Sequence, residues 1–98
     1  MYVIALHDIL DPATAFPRGQ ALMTGQGAPA GVRVLQFFPS GDALRVTCVW
    51  ESPSVGEVQD YVDATLGDSS TNTCYQVDSA QAFAERPLGL PTAPSLAA

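Results

Sequence analysis

The sequence predicts an α+β domain in which one antiparallel sheet of four strands carries two helices on a single face, and three observations lead there. A chain of 98 residues suffices for about one domain, since compact domains most often run to roughly 100–150 residues. Its composition, 47% hydrophobic against 14% charged, is that of a chain able to bury a core and not of a disordered one. Four short apolar stretches are separated by turn residues and by segments with helical spacing, as expected of strands interleaved with helices.

The elements follow in order. Met1 to Asp8 is a continuous apolar run rich in Tyr, Val and Ile, too short for a core helix, and reads as the first strand. Asp11-Pro12 supplies an N-cap followed by proline at the first helical position. The helix over Ala13 to Met23 is expected to be short, broken or kinked near Pro17. Gly25, Gly27, Pro29 and Gly31 form a loop, Val32 to Phe38 is the second strand, and the cluster Pro39-Ser40-Gly41-Asp42 turns it into a third over Ala43 to Glu51. Ser52-Pro53-Ser54 then announces a helix, with either Ser52 capping ahead of Pro53 or Ser54 forming a capping box with Glu57. On that helix Val55, Val58, Tyr61, Val62, Thr65 and Leu66 share one face, and Gly67 terminates it. Thr71 to Val77 is the fourth strand, and Ser79 to Glu85 has the composition for one or two further helical turns.

The order strand, helix, strand, strand, helix, strand is most economically a ferredoxin-like split βαβ sandwich. Right-handed crossovers give the strand order 4-1-3-2, with the first strand antiparallel to the third and fourth. The domain is expected over residues 1–86. Residues 87–98, with three prolines and no charge, form a C-terminal tail. One sheet face is left without helices, and two copies packed sheet against sheet would cover it.

Charge and motifs exclude several functions. A net charge of −6, with only four basic residues, all arginine, disfavours nucleic acid and anionic membranes as partners. No run approaches the roughly 18 apolar residues of a membrane span. The N-terminus lacks the basic region of a signal peptide, so a cytoplasmic location is expected. The glycines at 25, 27 and 31 precede a strand instead of opening a helix, and there is no lysine to engage a phosphate. G-x-S-x-G, H-E-x-x-H and clustered Cys/His spacings are missing, and no cofactor is expected. Cys48 and Cys74 sit singly in strands, which favours free thiols. With the first strand between theirs, their backbones should lie about 9.6 Å apart, beyond the roughly 7 Å limit for a disulfide.

The stretch VTCVWESPSVGEVQDYVDATLG (Val46 to Gly67), preceded by Gly31-Val32-Arg33 and a hairpin, together with the opening MYVIALHDILDP, resembles small bacterial proteins of the dimeric α+β barrel superfamily. That group includes uncharacterised stand-alone domains and nickel-binding relatives. The resemblance implies a homodimer with a cavity against the sheet, in a superfamily that holds cofactor-free oxygenases, isomerases, haem-degrading enzymes and plain ligand binders.

Alternation sorts side chains by face. In the third strand Leu44, Val46, Cys48 and Trp50 are expected to meet the helices. In the first strand the bulkier set Tyr2, Ile4 and Leu6 is assigned to the core, leaving Val3, Ala5 and His7 on the open face. In the fourth, Thr73, Tyr75 and Val77 are assigned to the core, and Asn72, Cys74 and Gln76 join His7. The two cysteines would then point to opposite faces, and Val3, Ala5, Thr47, Val49 and Cys74 would form the apolar dimer band. His7 should lie near Arg45 and Asn72, and roughly 20 Å from Glu51 at ~3.3 Å per residue.

Two functions follow. The first is a homodimeric binding or accessory domain for a small hydrophobic ligand, in a pocket between sheet and helices walled by Trp50, Tyr61 and Tyr75, while His7, Arg45, Asn72 and Gln76 on the semi-polar open face are candidates for a ligand or dimer surface. The second is a cofactor-independent enzyme on a small aromatic or polyketide-like molecule, with His7 as base, kept neutral by Arg45. A divalent metal held by His7, Asp8 and Asp11 is a third possibility. Each residue also has a plainer role: His7 as a hydrogen-bonded strand-end residue, Asp11 as a helix cap, Asp8 as a strand-end acceptor, and Trp50 as core.

Overall fold

The structure, a computed structural model, describes residues 1–85. The expected tail over residues 87–98 lies outside the described residues, as does the boundary at residue 86. Four strands, β1 (Tyr2–Ile9), β2 (Arg33–Pro39), β3 (Arg45–Glu51) and β4 (Ser70–Gln76), alternate with helices α1 (Pro12–Thr24) and α2 (Val55–Leu66) in the order β1-α1-β2-β3-α2-β4. The sheet runs β2-β3-β1-β4, which counted from the β4 edge is 4-1-3-2, and every neighbouring pair is antiparallel.

Local chemistry accounts for both helices. Pro12 occupies the first turn of α1, where a missing N–H costs nothing, and the helix continues across Pro17 to a left-handed Gly25 at φ 74°. The expected break near Pro17 does not occur, because one lost backbone bond to Ala13 is offset by packing along the rest of the helix. The Asp11 side chain makes no bond to the helix N–H groups and accepts instead from Thr14 Oγ1 at 2.6 Å. α2 starts at Ser54, whose hydroxyl accepts from the Glu57 N–H at 3.2 Å and contacts its carboxylate at 3.0 Å. Of the two caps open to the sequence, Ser54 is the one used, but the reciprocal half of a capping box is not made, because the Ser54 N–H donates to Ser52 Oγ at 3.2 Å. After β4, Gln81 and Ala82 donate to the Asp78 carbonyl, a single turn that does not continue as a helix.

The core lies between the helices and one sheet face. Trp50 is fully buried and meets Tyr61 of α2 edge to face, with ring centroids 6.0 Å apart. Val58, Val62 and Leu66 complete the buried stripe of α2. The Tyr61 hydroxyl donates to the Gln26 and Ala21 carbonyls at 2.6 and 3.2 Å, and Arg18 donates to the Leu66 carbonyl at 2.9 Å. The two helices are thus tied at both ends.

The face assignments of β1 and β4 are reversed from expectation. Directly paired residues share a face, and β1 pairs Val3 with Trp50, Ala5 with Cys48 and His7 with Val46. Val3, Ala5 and His7 therefore face the helices and are buried, whereas Tyr2 and Leu6 are 47% and 43% exposed on the open side. β4 follows through His7–Asn72, Ala5–Cys74 and Val3–Gln76, leaving Thr73 and Tyr75 on the open face opposite Leu6 and Ile4. In β3, Val46, Cys48 and Trp50 are buried toward the helices as alternation indicates, and Leu44 lies exposed before the strand. Alternation could not orient β1 because both of its sets are apolar. Cys48 and Cys74 are free, but they flank Ala5 on one face instead of pointing apart.

This reversal predicts opposite outcomes for neighbouring substitutions. Ala5→Asp would bury an unpaired carboxylate and cost about 4 kcal/mol or more, abolishing the cooperative thermal transition in circular dichroism. Leu6→Asp should leave that transition intact. The reverse pattern would restore the assignment by side-chain bulk.

Candidate functional site

Between α1 and the sheet lies a cavity of about 180 Å³, partly open to solvent. It exists because α1 offers little bulk there: Ala15 and Gly19 face the sheet, with Phe16, Leu22 and Met23 around them. α1 also packs on α2 and the turn at Gly67–Ser69 more closely than on any strand. The sheet contributes His7, Ile9, Val46, Cys48 and Phe37, and Leu66 of α2 closes one side. His7, Gln20 and the Cys48 thiol are the polar groups of an otherwise apolar lining.

His7 is 4% exposed, and its orientation is set by a chain of hydrogen bonds that starts on α2. The Asp63 carboxylate can only accept. It receives bonds from Gln59 Nε2 at 3.0 and 3.1 Å and from Asn72 Nδ2 at 2.9 Å. Gln59 is held in turn by the Cys74 N–H, which donates to its Oε1 at 3.0 Å, and by the Asn72 carbonyl, which accepts from its Nε2 at 2.9 Å. With its amide nitrogen turned to Asp63, Asn72 presents Oδ1 to Ser70 Oγ and to His7 Nδ1, both at 2.6 Å. An amide oxygen accepts, so Nδ1 carries the hydrogen, and the lone pair of the neutral ring is on Nε2.

Nε2 has no hydrogen-bond partner among the described residues. It is not among the wholly buried polar atoms left unpartnered, where Trp50 Nε1 stands alone among the described residues. Nε2 is therefore not wholly buried, and His7 is one of the residues that line the cavity. Burial pushes the His7 pKa below its ordinary 6.5, against smaller upward pulls from the Asn72 bond and the Asp63 charge. The ring is neutral near pH 7 because of desolvation. Arg45, expected to have that effect, pairs with Asp8 on the opposite face. Burial likewise pushes the Cys48 thiol up to about 12 and Cys74 to about 11, so neither is a thiolate nucleophile at neutral pH.

The structure brings together two of the residues singled out in the sequence, His7 and Asn72, and scatters the others. Trp50 and Tyr61 form the core beside the cavity without lining it, and Arg45 and Tyr75 lie on the open face. Trp50, Tyr61 and Tyr75 are therefore not the walls of this cavity. Glu51 pairs with Tyr2 at the far end of β1 from His7, as the register requires. Asp8 points away from His7 across the sheet. Among the described residues, no group of three or more His, Cys, Asp or Glu side chains could hold a metal ion. Sequence reasoning missed Gln59 and Asp63, whose one signal is a polar pair four residues apart beside the apolar stripe of α2. It also missed the apolar walls from α1. No helix among the described residues is long and apolar enough to cross a membrane.

No protein-family model matches this chain, and neither a curated protein nor a solved structure does.

Because the unfolded chain binds a proton at His7 near pH 6.5 and the folded chain only at lower pH, the contribution of the neutral ring is complete above about pH 6.5 and is lost as pH falls toward the folded value. Urea unfolding between pH 7.5 and 4.5 should show a decline that is shallower in His7→Gln, which has no imidazole to titrate. Equal slopes in the two proteins would contradict the burial of a neutral imidazole.

Proposed function

We propose that this chain is a homodimeric binding domain for a small hydrophobic molecule held between α1 and the sheet. The observation that carries the reading is the cavity of about 180 Å³ with apolar walls and one oriented imidazole. Dry apolar cavities near 150 Å³ accommodate a benzene-sized molecule. Ligand sites combine such walls with a few placed polar groups.

The dimer is proposed through the open sheet face. Tyr2, Leu6 and Tyr75 are 47%, 43% and 51% exposed there, beside the partly buried Ile4, Val49 and Phe38. This band replaces the one expected from Val3, Ala5, Thr47, Val49 and Cys74; of those five, Val49 and Thr47, which pairs with Leu6 and Phe38, lie on this face. Its charges sit at the margins, Arg33 with Glu51 at 2.9 Å and Asp8 opposite Arg45. They sum to zero, whereas the chain carries −6, so this is a face where two acidic copies meet without net repulsion. Resemblance to the dimeric α+β barrels supports the same arrangement.

A second reading, a cofactor-independent enzyme with His7 as general base, is favoured by one observation: the base is neutral, and its far nitrogen is oriented by Asn72 and Asp63. That is the base-and-orienter pattern of proton-transfer sites.

Two measurements test the binding domain. Light scattering should report a dimer at micromolar concentration and a monomer for Leu6→Asp; a monomeric wild type would overturn the interface. Toluene should perturb methyl NMR signals of Leu22, Val46 and Leu66 in the wild type. Gly19→Leu, which fills the cavity and improves helix propensity by up to about 1 kcal/mol, should remove that response while keeping the fold. A toluene response unchanged in Gly19→Leu would place the binding elsewhere.

A further inference from the structure

The direction of every hydrogen bond leading to the cavity narrows the chemistry of what it binds. We infer that the ligand is a neutral, benzene-sized molecule bearing one hydrogen-bond donor, a phenolic hydroxyl or an azole N–H, which it gives to His7 Nε2. This rests on the cavity being the binding site. Asp63 cannot donate, so the amide nitrogen of Asn72 must face it at 2.9 Å. The Asn72 oxygen then accepts from Ser70 and from His7 Nδ1, which fixes the tautomer and leaves Nε2, on a residue that lines the cavity, with a lone pair and not an N–H.

A carboxylate or ketone, having only acceptors, would set its oxygen against that lone pair. A hydrocarbon would leave the lone pair without a partner. A donor satisfies it, and the apolar lining receives the rest of the molecule. Gln20 is the other polar lining residue apart from the Cys48 thiol; being exposed itself, it stays hydrated without a ligand. No charged side chain lines the cavity, so nothing there balances an ionic ligand.

Phenol and toluene, nearly equal in shape, separate the donor from the apolar contribution. At pH 8, ¹⁵N NMR of the single histidine should show Nδ1 protonated and Nε2 unprotonated in the free protein. Saturating phenol should shift the Nε2 resonance, and toluene should not. Phenol should bind the wild type at least as tightly as toluene. In His7→Leu its affinity should fall by roughly tenfold, with toluene retained, because the hydroxyl is left unsatisfied. A free protein with the hydrogen on Nε2, or toluene binding while phenol leaves Nε2 unmoved, would overturn the donor assignment and leave the cavity as an apolar binding site. Failure of both molecules to bind would overturn the cavity reading itself and this inference with it. The nitrogen spectra need no variant, so they decide the tautomer even if His7→Leu does not fold.

Discussion

Which side of β1 meets the helices is decided at His7. A histidine in the buried layer is tolerated only if its ring N–H is satisfied, and the Asn72 oxygen at 2.6 Å satisfies it. Asn72 can do so only because Asp63 and Ser70 hold its amide in one sense. The chain of bonds from α2 through β4 to β1 thereby links three elements, with Gln59 bridging α2 to the β4 backbone. Once β1 is oriented, its neighbours follow, because antiparallel pairing puts Cys48 and Cys74 on the same face as Ala5.

The same orientation opens the cavity. On that face α1 presents Ala15 and Gly19 over His7, Val46 and Cys48 of the sheet. The small residues of α1 leave space that Phe16, Met23 and Phe37 border without filling. The helices are meanwhile held to one another, Tyr61 to the end of α1 and Arg18 to the end of α2. Trp50 is wholly buried against Tyr61, and the unfilled space lies beside His7.

Much of the fold was legible in the sequence. Proline at the start of α1, the Ser54 cap of α2, Gly67 and the turn after Pro39 each have a local mechanism, and the element order and sheet order follow from them with chain-crossing rules. Pro17 misled because propensity yields to tertiary packing. The candidate site was less legible. The period of two is silent when both sets of a central strand are apolar, as with Tyr2, Ile4 and Leu6 against Val3 and Ala5. Assigning the bulkier set to the core then tipped β1 the wrong way. Its partner Asn72 is 65 residues distant and Asp63 sits on another element, so nothing local announces that the ring can be buried. Trp50 and Tyr61 were recognisable as aromatics near a pocket, but their size makes them core.

All of this turns on a neutral imidazole inside the helix-facing layer. The chain has one histidine, so its carbon-bound ring protons can be followed by NMR across a pH titration without assignment. Burial predicts a midpoint below 6.5 in the folded protein, and a return toward 6.5 in Ala5→Asp if that variant is unfolded. A midpoint at or above 6.5 in the folded wild type would mean a hydrated or charge-stabilised ring on the open face, and would contradict the orientation of β1, the tautomer and the cavity's chemistry together.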